Sequence, residues 1–67
     1  MFKVGDKVKV ILETRKRLAK FNKIHINTYK DVVLIVYRVE GVMVWASVTG
    51  TRGSKGGCWT IDELEAA

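Results

Sequence analysis

Six basic side chains fall within residues 14–30, and this segment contains no acidic residue. They are Arg15, Lys16, Arg17, Lys20, Lys23 and Lys30. The 67-residue chain has 12 Lys and Arg against 7 Asp and Glu, so the rest of it holds six bases and seven acids. The formal net charge of +5 therefore arises from one segment. Clustered guanidinium and ammonium groups bind polyanions through salt-dependent contacts, which makes this segment the candidate binding site.

Groups that stack on bases or bond to phosphate are interleaved with these cations. They are Phe21, His25, Asn27 and Tyr29. Phe21 and Tyr29 are the predicted stacking groups, although Phe21 has the alternative role of anchoring the segment to the fold. The glycine-rich loop over 50–57 adds two more cations if it folds to the same side. The predicted nucleic-acid-binding residues are Arg15, Lys16, Arg17, Lys20, Lys23, Tyr29, Lys30, Arg52 and Lys55.

Two kinds of partner fit this pattern. We expect binding to RNA or DNA, largely independent of sequence, because no set of residues for reading bases is visible. The alternative is a protein-binding module or inhibitor that docks the basic patch or a strand edge on an acidic partner. A solvated basic face with no specific partner would also have this composition. No membrane partner is expected, because the longest apolar run is Val32–Tyr37 and a spanning helix needs about 20 residues.

Other kinds of chemistry are poorly supported. One cysteine and one histidine cannot form an internal disulfide or a four-ligand zinc site. The loop over 50–57 fails the phosphate-loop pattern, which requires glycine where Lys55 stands. The acids are scattered, with no pair spaced for general acid and base work. We therefore expect a binding protein, not an enzyme, with no metal or cofactor.

The N-terminus and the cysteine bear on the compartment. The first seven residues lack the apolar stretch of a secretory signal, so we expect a cytoplasmic protein. In a reducing compartment, Cys58 is predicted to be a small buried apolar residue and not a reactive thiol.

The elements that must position the cations are predicted to be mainly strands. Residues 7–12 alternate with period two, and residues 32–39 are β-branched and apolar on both faces, which requires cover on both. In the second strand, residues 33, 35, 37 and 39 share one face. A hairpin turn at Glu40-Gly41 leads into a third strand over 42–49. Its predicted inward residues are Val42, Val44, Ala46 and Val48, although the reverse parity would bury Met43 and Trp45.

Three further elements complete the prediction. Residues 58–61 form a short strand in which Trp59 belongs to the core, whereas Trp45 is either covered or a stacking platform. Asp62 caps a helical turn over 63–67, and Leu64 pins that turn to the core. Residues 15–22 form a helical turn or a long loop, with Thr14 as the candidate N-cap, and an extended arm follows over 24–29.

The opening Phe2-Lys3-Val4-Gly5-Asp6-Lys7-Val8-Lys9-Val10 resembles the first strand of SH3-like barrels of the KOW and Tudor-like kind. The hairpin over 32–48 and the ending Trp59-Thr60-Ile61-Asp62-Glu63-Leu64-Glu65 are similar to the rest of that pattern, although KOW units usually have glycine where Asp31 stands. The resemblance implies one all-β domain over residues 1–67. This domain would be a five-stranded antiparallel barrel with a long basic loop or short helix after strand 1 and a C-terminal helical turn.

Such barrels commonly bind RNA, DNA or proteins, so the resemblance implies binding without choosing the partner. The chain also resembles small phage- or plasmid-encoded accessory proteins that bind a host factor. Uncovered strand edges in so short a chain would allow a homodimer.

Overall fold

The computed structural model describes residues 2–21 and 25–67, and this part of the chain is mainly β. The strands are β1 (Lys7–Val10), β2 (Leu34–Glu40), β3 (Met43–Ser47), β4 (Gly56–Thr60) and β5 (Leu64–Ala66). An α-helix, α1 (Leu12–Phe21), follows β1, and a 3-10 helix (Ile61–Glu63) joins β4 to β5. The strands form one open antiparallel sheet in the order β4-β3-β2-β1-β5. The predicted number of five antiparallel strands is confirmed, but the fifth strand is the C-terminal β5, in a segment predicted to be helical.

The hydrophobic core takes at least one side chain from every strand. Its buried members are Val8, Val10, Leu34, Val36, Val44, Ala46, Trp59 and Leu64. In β1, β2 and β3 they alternate with more exposed residues, because successive side chains of a strand point to opposite faces. The predicted burial of Trp59 and Leu64 is confirmed.

The hairpin between β2 and β3 is confirmed, with its turn one residue later than predicted. Gly41 and Val42 form the turn, and Gly41 has the positive φ of 60° that favours glycine. Val44 and Ala46 are fully buried, as predicted. Val42 and Val48 are 58% and 43% exposed because they lie in the turns at either end of β3, so their predicted burial is wrong.

A β-bulge interrupts β2 at Tyr37. Val36 faces Ala46 across the sheet, but the next pair joins Arg38 to Trp45, so Tyr37 is an extra residue. Without this bulge, Arg38 would follow Leu34 and Val36 onto the core face. With it, Arg38 is exposed and Val39 packs against the core. The prediction that residue 39 shares a face with residues 33, 35 and 37 is therefore wrong.

The helix α1 begins at Leu12, before the predicted N-cap at Thr14. Thr14 lies inside the helix and is buried, and its Oγ1 donates a hydrogen bond to the backbone oxygen of Glu63 at 3.2 Å. Thr14 does not cap the helix because the helix begins two residues before it. Residues 15–22 are predicted to form either a helical turn or a long loop. The structure shows a helix through Phe21, and residue 22 lies outside the described residues.

The predicted extended arm over 24–29 is wrong for the described residues 25–29, and residue 24 lies outside the description. Residues 26–31 form consecutive turns, hereafter the turn segment. Three backbone hydrogen bonds, from the amides of Thr28, Lys30 and Val32, each span three residues. Asp31 adopts a positive φ of 57°, which Asp and Asn tolerate better than most residues.

The predicted helical turn over 63–67 is also wrong. The helical residues are Ile61–Glu63, preceded by Thr60, and β5 then pairs with the outer edge of β1. The Glu63 carboxylate accepts hydrogen bonds from the Thr60 amide and hydroxyl at 2.8 and 2.9 Å. This capping box starts the 3-10 helix, and the helix ends after Glu63 because Leu64 is already extended, with φ −124° and ψ 157°, and begins β5.

Candidate nucleic-acid interface

Arg15 joins α1 to the turn segment. Its side chain is half-buried, and its Nη1 donates to the backbone oxygen of Ile26 at 3.4 Å. Because the turn segment follows α1 in the sequence, this contact folds it back beside the helix. Arg15 is therefore partly used within the protein, and it positions the neighbouring cations.

Lys16 and Lys20 lie four residues apart, on the same side of α1. Both are exposed. The Nζ of Lys20 lies 5.3 Å from the centroid of the Phe21 ring, and Phe21 is 69% exposed. So exposed a side chain does not anchor the segment to the core, which leaves Phe21 available for contact with a ligand.

Arg17 forms an ion pair with Glu63. The arginine side chain is 54% exposed, whereas that of Glu63 is only 16% exposed and is also held by Thr60. One carboxylate near the C-terminus therefore neutralises one of the clustered cations. Within residues 2–21 and 25–67, Lys16, Lys20 and Lys30 take part in no ion pair, and Lys23 lies outside the described residues.

Tyr29 holds the turn segment against β4. Its ring meets the edge of Trp59 at a centroid distance of 5.4 Å and an angle of 87°, and its hydroxyl donates to the Gly56 oxygen at 3.3 Å. Lys55 Nζ lies 5.3 Å from the Tyr29 ring and donates to the Thr28 oxygen at 2.8 Å. The loop before β4 thus brings Lys55 to the turn segment. Tyr29 is packed on two sides, which leaves it less room to stack than Phe21.

The packing of Tyr29 predicts a pH-dependent stability. Burial raises the pKa of the Tyr29 hydroxyl above its usual value. As the pH rises above about 10, the unfolded chain ionises first, so the free energy of unfolding should fall until the pH passes the folded-state pKa. In Tyr29→Phe we expect this fall to be shallower, and stability at pH 9 to be about 1 kcal/mol lower because the hydroxyl contact is lost.

Urea denaturation of both proteins at pH 9, 10 and 11 measures this effect. Lysine titration is common to the two proteins and cancels in the comparison. If the free energy of unfolding falls equally steeply with pH above pH 10 in both proteins, burial of the Tyr29 hydroxyl does not cause the fall.

Arg52 lies in a different place from Lys55. It lines an open cleft of about 350 Å³ with Tyr37, Arg38 and Trp45, hereafter the aromatic cleft. The Arg38 guanidinium lies 4.6 Å from the centroid of the half-buried Trp45 ring and also pairs with Glu40. The two predicted loop cations are thus divided between the turn segment and this cleft.

Arg38 and Tyr37 are not among the binding residues predicted from the sequence. A usable signal existed, because a two-residue turn at Gly41 and Val42 pairs Glu40 with Met43 and, two pairs further on, Arg38 with Trp45. Placing the turn one residue too early concealed this pairing. The bulge that exposes Arg38 has no comparable signal in the residue pattern.

Within the described ranges, no group of three or more His, Cys, Asp or Glu side chains is placed to hold a metal ion. Cys58 is exposed, so its predicted burial is wrong: it precedes the inward-facing Trp59 on β4 and points the other way. No helix in the part of the chain that the structure covers is long and apolar enough to cross a bilayer. Comparison of the chain with protein-family models, curated proteins and solved structures finds no match.

Proposed function

We propose that this protein binds nucleic acid, largely without regard to sequence, through a basic surface formed by Lys16, Lys20, Lys30 and Lys55. The observation that carries the proposal is the exposure of all four on α1, the turn segment and the adjoining loop. The Arg15–Ile26 and Lys55–Thr28 hydrogen bonds connect these three regions directly. A phosphate backbone lying along them would meet several cations in succession.

The charge balance of this region favours a polyanion. Its nearby acids are Glu13 at the start of α1, Asp31 at the end of the turn segment, Glu63, which is already paired with Arg17, and Asp62, which lines a shallow cleft with Glu13 and Arg17. Against them stand the four exposed lysines and Arg17. Lysine acts as a mobile point charge and not as a planar fork, which suits contacts with phosphates at variable positions. Such contacts position a nucleic acid but do not read its sequence.

Phe21 is the best-placed stacking group beside this surface. It is exposed next to Lys20, so an unpaired base could lie on its ring while the ammonium group contacts the adjoining phosphate. Tyr29 has a positioning role in this proposal, because its ring and hydroxyl are occupied by Trp59, Lys55 and Gly56.

We also infer that the open sheet is of the SH3-like barrel type. The strand order β4-β3-β2-β1-β5, the single core shared by all five strands and the 3-10 helix between β4 and β5 support this assignment. In such an arrangement α1 and the turn segment form the long connection after the first strand. The basic surface would then belong to an insertion that leaves the strands themselves unchanged.

The test is to neutralise the exposed lysines together as Lys16→Gln, Lys20→Gln and Lys30→Gln. Binding of a labelled single strand and a labelled duplex of mixed sequence is measured by fluorescence anisotropy over a range of salt concentrations. We expect wild-type affinity to fall steeply with salt. In the triple variant we expect weaker binding and a slope of log K against log salt that is shallower by about 2 for the single strand and about 2.7 for the duplex.

A matched control removes the same charge elsewhere through Lys3→Gln, Lys7→Gln and Lys9→Gln. Both triple variants lower the formal net charge from +5 to +2. We expect the control to retain most of the affinity and the slope. Equal losses in both variants would show that total charge, not the basic surface, governs binding. Absence of binding by the wild type at any salt concentration would refute the proposal.

A second candidate function rests on the sheet edges. β4 and β5 are the edge strands of the open sheet, so each has one side without a strand partner in the described structure. Unpaired edges can accept a strand from another protein or from a second copy of the chain. Light scattering detects a homodimer, and pull-down with the Lys16→Gln, Lys20→Gln and Lys30→Gln variant tests for a protein partner that does not need those lysines.

A further inference from the structure

The aromatic cleft lies between β2, β3 and the loop before β4, and no lysine of the basic surface lines it. Its walls combine two aromatic rings, Tyr37 and Trp45, with two guanidinium groups, Arg38 and Arg52. Its volume, about 350 Å³, lies at the lower end of the range of pockets that hold small ligands, about 300–1,000 Å³. We propose that this cleft holds one unpaired nucleotide of a single-stranded nucleic acid, a proposal that rests on the proposed function.

The bulge at Tyr37 creates the cleft. It moves Arg38 off the core face and places it directly across from Trp45, while Tyr37 remains beside them as the extra residue. Bulges are common where a strand must redirect a side chain at a binding site. A regular β2 would point Arg38 inward and leave Trp45 without a cation on its ring.

Arg38 fixes the orientation of the indole. Its guanidinium lies over Trp45 at 4.6 Å from the ring centroid, and its ion pair with Glu40 holds it there. One side of the indole is therefore occupied by a cation, and both Trp45 and Arg38 line the cleft. A base entering the cleft would contact Trp45 and Tyr37, whose flat apolar surfaces accept any of the four bases.

Arg52 supplies the charge that a nucleotide requires. It is exposed on the loop before β4 and takes part in neither ion pair found among residues 2–21 and 25–67. A guanidinium group binds phosphate through two parallel hydrogen bonds, so Arg52 can hold the phosphate of the nucleotide whose base lies on Trp45. The local charge, two arginines against Glu40, disfavours a cationic ligand and favours an anionic one.

The cleft also restricts the ligand to an unpaired strand. In a duplex the bases are stacked on one another and their faces cannot reach Trp45. The loop that carries Arg52 also carries Lys55, which contacts the turn segment, so a strand leaving the cleft along this loop would reach the basic surface. The two sites therefore suit successive parts of one single strand.

The experiment uses a twelve-residue thymidylate strand, a uridylate strand of the same length and a blunt duplex. We expect both single strands to quench the fluorescence of Trp45, and Trp45→Phe to abolish this quenching while the buried Trp59 still reports on the fold. Trp45→Ala should weaken single-strand binding about 5- to 100-fold and change duplex binding less than twofold. Arg52→Gln should weaken single-strand binding and make its salt slope shallower by about 0.7.

Lys7→Gln is the control for Arg52→Gln, because it removes one exposed charge from β1. Circular dichroism establishes that each variant is folded. If Trp45→Ala does not fold, the cleft proposal is tested by single-strand binding of Arg52→Gln and by quenching of wild-type fluorescence. Unchanged single-strand binding by Arg52→Gln and by a folded Trp45→Ala, with binding still weakened in the Lys16→Gln, Lys20→Gln and Lys30→Gln triple variant, would overturn the cleft proposal alone. Equal quenching by polyglutamate would overturn it in favour of an acidic protein. No binding of any nucleic acid would overturn both proposals.

Discussion

Gly56→Ala should be among the most destabilising single substitutions in this protein. A Cβ at residue 56 would lie 2.1 Å from the backbone oxygen of Ala46 and 2.6 Å from the Cα of Ser47. Both are atoms of β3, which pairs with β4 at this position, so neither can move without breaking the sheet. We expect a loss of more than about 3 kcal/mol in the free energy of unfolding, measured by urea denaturation.

Gly53→Ala is the matched control for this prediction. Residue 53 lies in the loop just before β4, has no heavy atom within 4 Å of its added Cβ and does not have a positive φ. This variant should remain within about 0.5 kcal/mol of the wild type. Similar stabilities for the two variants would mean that β4 does not approach β3 as closely as described. Because the backbone oxygen of residue 56 accepts the Tyr29 hydrogen bond, a shift of β4 in Gly56→Ala should displace the turn segment as well.

Trp59→Ala should have a comparable effect for a different reason. Trp59 is only 5% exposed and contributes the largest side chain of the core. Removal of a buried tryptophan typically lowers stability by about 3–5 kcal/mol, and a chain of this length has a total of about 3–10 kcal/mol. We therefore expect the variant to be largely unfolded at 37 °C, with thermal denaturation followed by circular dichroism.

The same substitution links the core to the basic surface. The edge contact of Tyr29 with Trp59 is one of the interactions that hold the turn segment against β4. Trp59→Phe retains an aromatic surface and should lose much less stability, with nucleic-acid binding close to that of the wild type. A folded Trp59→Ala protein with unchanged stability would show that the core does not depend on this side chain.

Much of the fold follows from local patterns. The alternation in β1, the apolar run of β2 and the glycine at residue 41 are sufficient to predict two strands and the hairpin. Alternation fails where the backbone departs from period two, as at Tyr37, because nothing in an apolar run marks the extra residue. The C-terminal strand was missed because acids near Leu64 favour a helix locally, whereas the open edge of β1 supplies hydrogen bonds that a helix cannot use.

The candidate site, too, is only partly predictable from local sequence. The segregation of positive charge into residues 14–30 is visible in the sequence, since it needs only counting. Which of these side chains are available to a ligand depends on partners in other elements of the fold. Arg17 meets Glu63, Arg15 meets Ile26, and Tyr29 meets Trp59. No residue spacing could have predicted those contacts.

By itself, then, the sequence determined the charge of the protein, the sheet-forming character of most segments and the identity of most core residues. These depend on composition and on the period of side chains along one strand, which are local properties. The tertiary structure decided that Arg38 stands over Trp45, that Lys55 reaches the turn segment and that one tail carboxylate neutralises Arg17. Each of these depends on bringing distant residues together, which only the packed sheet achieves.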